Sequence, residues 1–120
     1  ELISNIYKAK EPFNVNRLAQ LAAEAALDDD EFVDESYRVN EEGKRYLYKE
    51  FDRLGLEYYP SRTNFIFFYV ERDAQQLFRE IMDRGVTVRP LKPFERNSLR
   101  VSISTMENNR KFIRILEEVL

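Results

Sequence analysis

Apolar residues recur at two spacings along this chain, and the spacing sorts it into helices and strands. Over residues 15–27, Leu18, Leu21, Ala22 and Ala25 share one face of a 3.6-residue period. The stretch is Ala-rich, which predicts a helix thin enough for a neighbour to pack closely, with Asn14 as its N-cap. Over residues 31–54, Phe32, Ser36, Val39, Gly43, Tyr46 or Leu47, and Phe51 or Leu54 recur every three or four positions. This predicts a long helix stopped by Gly55, and Gly43 inside it points to close packing at that position. Asp28 with Glu31 reads as a capping box, with Asp in the Ser/Thr role. Asp73 with Gln76 opens a further helix whose buried stripe is Leu77, Phe78, Ile81 and Met82, and Gly85 ends it. Ser104 with Glu107 opens the last, over 106–119, which buries Phe112, Ile115, Leu116 and Val119. At the start, Leu2, Ile3, Ile6 and Tyr7 sit at helical spacing before Pro12 breaks the pattern.

Alternation at every second residue marks the strands. Val86 and Val88 alternate with Thr87 and Arg89; Leu99, Val101 and Ile103 alternate with Arg100, Ser102 and Ser104. These two runs are expected to pair as a hairpin around a loop containing Pro90 and Pro93. Residues 64–70, NFIFFYV, form a near-continuous apolar run, read as a central strand buried on both faces. Tyr58-Tyr59-Pro60 reads as an extended or turning connection. The resulting class is α+β: a small mixed sheet of about three strands covered by helices, with two long helices leading in. Strand 64–70, helix 73–84 and strand 86–89 make a right-handed crossover if the two strands run parallel.

In each alternating run the arginine points away from the apolar face. A hairpin therefore brings Arg89 and Arg100 onto one polar surface. Two guanidiniums with no obvious carboxylate between them suit a doubly charged oxyanion, because each can fork onto two oxygens. Two solvated surface arginines fit the same pattern, and pattern alone favours that simpler reading.

Composition narrows the remaining chemistry. The 120 residues fit a single domain, 1–120, large enough for a real core. The net charge of −3 gives no general attraction to nucleic acid. The aromatic row at 64–70 lacks the basic interleaving of a base-stacking platform and suits core packing better. There is no run long and apolar enough for a membrane span. Without Cys or His there is no disulfide, no thiolate chemistry, no Cys/His zinc site and no imidazole acid–base catalysis within the chain. The lack of Cys fits a cytoplasmic protein. Asp28, Asp29 and Asp30 lack the spaced ligands of a calcium loop and read as helix-start charges, so no metal site is expected. The chain begins at Glu1, which suggests a processed or excised segment.

Taken together, the residues carry a resemblance. Lys10-Glu11-Pro12-Phe13-Asn14-Val15-Asn16 resembles the K/R-x-P-F/Y-N-V-N segment of the histidinol-phosphate aminotransferases. Leu18-Ala19-Gln20, Ala22-Ala23, Glu42-Gly43, Leu54-Gly55, Pro60-Ser61 and Asn64-Phe65-Ile66 keep the same register. Gly85-Val86-Thr87-Val88-Arg89-Pro90 and Leu99-Arg100-Val101-Ser102-Ile103-Ser104-Thr105 complete it. The chain is thus similar to the C-terminal small domain of these fold-type-I enzymes, which use pyridoxal 5'-phosphate to exchange an amino group between glutamate and imidazole-acetol phosphate.

The resemblance implies that Arg100 grips the acidic tail of the substrate, a carboxylate or phosphate, and that Arg89 helps hold the phosphate. Asn14 lies near the domain junction by the same likeness, with no role assigned. It also implies that the Schiff-base lysine, the aspartate facing the pyridine nitrogen and the phosphate cup belong to a large domain preceding this segment. None of Lys8, Lys10, Lys44, Lys49, Lys92 and Lys111 has the expected Ser-Lys setting. No catalytic residue and no bound cofactor are therefore expected in this chain alone. Its expected partners are the large domain, an anionic small molecule and, through the face left exposed, other copies of itself. The alternative is a stand-alone α+β interaction or regulatory module with no chemistry of its own.

Overall fold

The computed structural model describes residues 2–10, 13–92 and 95–120. The expectations placed on Pro12 and Pro93 lie outside the described residues. The chain divides into two compact units, Glu1–Asp34 and Glu35–Leu120.

In the first unit, α1 (Leu2–Ala9) and α2 (Arg17–Ala26) precede the opening turn of α3 (Asp30–Arg53). The cap of α2 is Asn16 rather than Asn14: its Oδ1 accepts from the Ala19 N–H at 2.9 Å. Two asparagines two residues apart both suit the role, and only the one three residues before a free helical N–H can fill it. The same slip of register occurs at α3, where Asp29, not Asp28, accepts from the Phe32 N–H at 3.0 Å. Neither α1 nor α2 contributes a buried residue.

The second unit holds the rest of α3, then β1 (Tyr58–Tyr59), β2 (Phe65–Tyr69), α4 (Ala74–Asp83), β3 (Arg89–Leu91), β4 (Ser98–Ser102) and α5 (Met106–Val119). The α+β class stands, with differences in the sheet. Its order is β1-β2-β4-β3, so it has four strands, and every hydrogen-bonded pairing is antiparallel rather than mixed. The extra strand is Tyr58–Tyr59, too short to show an alternation. β2 and β3 do run parallel, but β4 is inserted between them. The expected crossover is therefore a split β-α-β unit. The hairpin of the two arginine strands forms as expected, with β3 shifted to Arg89–Leu91. Val88 is buried without being paired. Pro90 is tolerated because β3 lies at the sheet edge.

One face of the sheet carries the core. Ile66 and Phe68 of β2 and Leu99 and Val101 of β4 meet Leu47 and Phe51 of α3, Leu77 and Ile81 of α4, and Phe112 and Leu116 of α5. Phe51 sits 4.7 Å from Phe68 and 6.4 Å from Phe112, ring centre to ring centre. Gly43 packs as closely as its place in the pattern implied. A Cβ there would lie 2.6 Å from Ile103 Cγ2 and 2.7 Å from Asn109 Nδ2. Asn109, 2% exposed, uses both ends of its amide on Ser104: Oδ1 accepts from the backbone N–H and Nδ2 donates to the carbonyl. This buried amide has no unpaired atom to pay for its burial.

Asp73 caps α4, accepting from the Gln76 N–H at 2.9 Å, while the Gln76 side chain turns to Glu80 instead of completing a box. Thr105, not Ser104, caps α5. Met82, expected in the α4 stripe, is 44% exposed; Ala74 takes the buried place one turn before Leu77.

Candidate functional site: the open face of the sheet

Among the described residues the core lies against the first face of the sheet, and the second face carries the predicted arginines. In the β3–β4 ladder Arg89 and Arg100 are direct Cα partners. Opposed residues of an antiparallel pair project to the same face, with Cα atoms about 5 Å apart. Continuing across β4 and β2, Arg100 faces Phe67, and Phe67 faces Tyr59 of β1. One row across the sheet therefore reads Tyr59, Phe67, Arg100, Arg89. The expected burial of β2 on both faces holds on the helix side and, on the other face, at Tyr69 alone. Phe65 and Phe67 are half-buried, shielded by their neighbours in the sheet, with Phe67 5.1 Å from Tyr69 and 6.0 Å from Tyr59.

Arg100 is half-buried and Arg89 exposed. Among the described residues no carboxylate lies within ion-pair distance of either. An open concavity of about 410 Å³ is lined by both arginines together with Thr87, Ser102 and Phe78. It thus presents two guanidiniums and two hydroxyls, all capable of donating to an oxyanion.

The hairpin that aligns the arginines is pinned at its far end. Ser98, fully buried, donates its hydroxyl to the Leu91 carbonyl at 2.9 Å. Arg96 lies 3.5 Å above the Tyr69 ring and forks onto Glu57 at 2.6 and 3.3 Å. That hydrogen bond holds the Glu57 carboxyl below its ordinary pKa. Sequence pattern gave no signal for this clamp, whose members come from three separate segments. A second concavity of about 430 Å³ lies beside it, lined by Arg96 and Arg72 among others. Both of those arginines are already engaged, by Glu57 and Glu80. Of these two concavities only the first holds arginines without an ion-pair partner among the described residues, Arg89 and Arg100, so it is the better candidate for an anion.

Asn14 belongs to the first unit, where it is exposed. Each described lysine is either engaged by a neighbouring group or exposed. Lys44 is buried, but its Nζ is held by Glu41 at 2.5 Å. Lys111 donates to the Gly85 carbonyl at 3.2 Å, Lys92 lies 3.9 Å from Glu95, and Lys8, Lys10 and Lys49 are exposed. Among the described residues no group of three carboxylates is placed to hold a metal ion. No described helix is long and apolar enough to cross a membrane.

This geometry coincides with clear kinship. Residues 1–116 match the family described as Aminotransferase class I and II. The chain belongs to that family. Over 121 residues it is 48% identical to the histidinol-phosphate aminotransferase of Moorella thermoacetica, covering 100% of this chain and 31% of that protein. It is 45% identical to the histidinol-phosphate aminotransferase of Symbiobacterium thermophilum, covering 100% of this chain and 34% of the other. A solved variant of Thermus thermophilus aspartate aminotransferase superposes with a TM-score of 0.69 at 23% identity, over 85% of this chain and 31% of that one. At that identity the likeness shows the fold alone. The chain spans about a third of the length of the curated relatives it matches.

Proposed function

We propose that this chain is the C-terminal small domain of a histidinol-phosphate aminotransferase, a cytoplasmic enzyme exchanging an amino group between glutamate and imidazole-acetol phosphate. The observation that carries the reading is the direct pairing of Arg89 with Arg100 on the open face, with no acid beside them among the described residues. Arg100 grips the acidic tail of either substrate, and Arg89 adds a second fork for the phosphate. Family membership implies pyridoxal 5'-phosphate in the parent enzyme, where it supplies the electron sink for amino transfer. The residues present here do not form its site, so its anchoring belongs to the remaining two-thirds of the parent. The small domain's share is to bind and orient the substrate's anionic end.

The large domain is, in this reading, also what covers the apolar residues left exposed in α1 and α2. The isolated chain should therefore self-associate as its concentration rises, and sedimentation showing a strict monomer at high concentration would count against that cover.

Steady-state kinetics of the full-length parent enzyme test the site. Arg100→Lys keeps the charge but loses the planar fork. A lost charge-assisted hydrogen bond costs about 1.5–3 kcal/mol, or about ten- to over a hundredfold in binding. Arg100→Ala should weaken both substrates, and Arg89→Ala mainly the phosphate substrate. Full activity of Arg100→Ala would overturn the assignment. A gene lacking any large-domain sequence would instead favour the stand-alone module.

A further inference from the structure

The open face holds two arginine–aromatic contacts, and they end differently. Arg96 lies over Tyr69 and is closed off by a carboxylate, Glu57. Arg100 lies over Phe65, its guanidinium carbon 4.7 Å from the ring centre, and no carboxylate closes it off among the described residues. Phe65 reaches Arg100 diagonally. Its direct partner on β4 is Ser102, two residues further along the strand. Diagonal neighbours on one sheet face are within reach of aromatic and long side chains.

A cation over an aromatic face is attracted by the ring's negative quadrupole. The ring attracts the cation as a whole, whereas hydrogen bonding to an oxyanion uses the guanidinium's in-plane N–H groups. The ring can thus orient the cation without using up its donors. An arginine held in this way has less rotamer freedom to lose when an anion arrives.

We propose that Phe65 is a positioning residue for Arg100 and thereby sets the affinity of the site for the substrate's anionic end. The inference rests on the reading of Arg100 given above. It predicts that the ring matters through its π face rather than through its bulk. Phe65 is only half-buried, while its neighbours Ile66 and Phe68 are fully buried. Core packing therefore does not by itself demand an aromatic residue there.

The experiment is a double-mutant cycle in the full-length parent enzyme, measuring kcat and KM for the phosphate substrate and for glutamate. Phe65→Leu should raise KM about three- to tenfold with kcat largely kept, and Phe65→Tyr, which retains the π face, should restore the original KM. In an Arg100→Ala background, Phe65→Leu should add nothing. Should Phe65→Leu not fold, Phe65→Met serves the same test. If Arg100→Ala raises KM while Phe65→Leu leaves it unchanged, the positioning role is overturned and the site stands. Losses that add fully in the double mutant also overturn it, because they show two independent effects. An Arg100→Ala enzyme with unchanged KM overturns the site and Phe65's role with it.

Discussion

Leu18 on α2 and Leu47 on α3 hold the same kind of place in the sequence, on the apolar stripe of an amphipathic helix. In the folded chain Leu18 is 80% exposed and Leu47 fully buried. The contrast extends to whole regions. Every described residue of the first unit is exposed, including Leu2, Ile6, Leu21 and Phe32, whereas the second unit builds a core around Phe51, Phe68 and Phe112. Hydrophobic periodicity reveals which face of a helix favours burial, not what will cover it. In the second unit the covering elements lie within the chain; for the first, the proposed function assigns the cover to the rest of the parent enzyme.

The largest effect separating the two regions should come from truncating matched apolar side chains in the isolated chain. Phe51→Ala, at a fully buried site, should cost about 3–5 kcal/mol. Leu18→Ala should stay within about 0.5 kcal/mol, as expected of an exposed site. Urea denaturation of both variants checks this, and comparable losses would erase the distinction.

A smaller loss is expected at Gly43. Adding a methyl group forces it against Ile103 and Asn109, and overpacking of this kind costs about 1–3 kcal/mol. Gly43→Ala should therefore lower the denaturation midpoint. It should also disturb the Asn109–Ser104 hydrogen bonds, which amide NMR shifts at Ser104 would report.

The smallest effect concerns acid. Glu57, Glu80 and Glu117 are held below their ordinary pKa, first by hydrogen bonds from Arg96, Arg72 and Arg53 respectively. A depressed folded-state pKa contributes stability above the unfolded value of about 4.3 and loses it as pH falls through the lowered folded value. The second unit should thus lose some stability below about pH 4, though exposed pairs contribute little. In Arg96→Ala, carboxyl NMR should show Glu57 titrating at a higher pH than in the parent sequence; an unchanged titration would contradict the pairing.

Much of the second unit was legible in the sequence because its signals are local. The helix expected over 31–54 is Asp30–Arg53, and the strand expected over 64–70 is Phe65–Tyr69. The caps slipped by one or two residues wherever two capping residues stand close together, as at Asn14 and Asn16, Asp28 and Asp29, or Ser104 and Thr105. Propensity does not choose between such neighbours; the position of the first free N–H does. Strand pairing was legible only between β3 and β4, where the chain between them is short. Alternation then sufficed to bring Arg89 and Arg100 to one face. The insertion of β4 between β2 and β3 depends on contacts distant in sequence, and so does the placing of Phe65 beneath Arg100. No local pattern carries either.

Amide hydrogen exchange, measured on the isolated chain and on the full-length parent enzyme, tests the central contrast most directly. The account predicts strong protection of β2, β4 and α5 in both, and protection of α1 and α2 in the parent alone. Equal protection of α1 and α2 in the two samples would contradict it, because their apolar faces would then need no cover beyond this chain or would receive none from the parent.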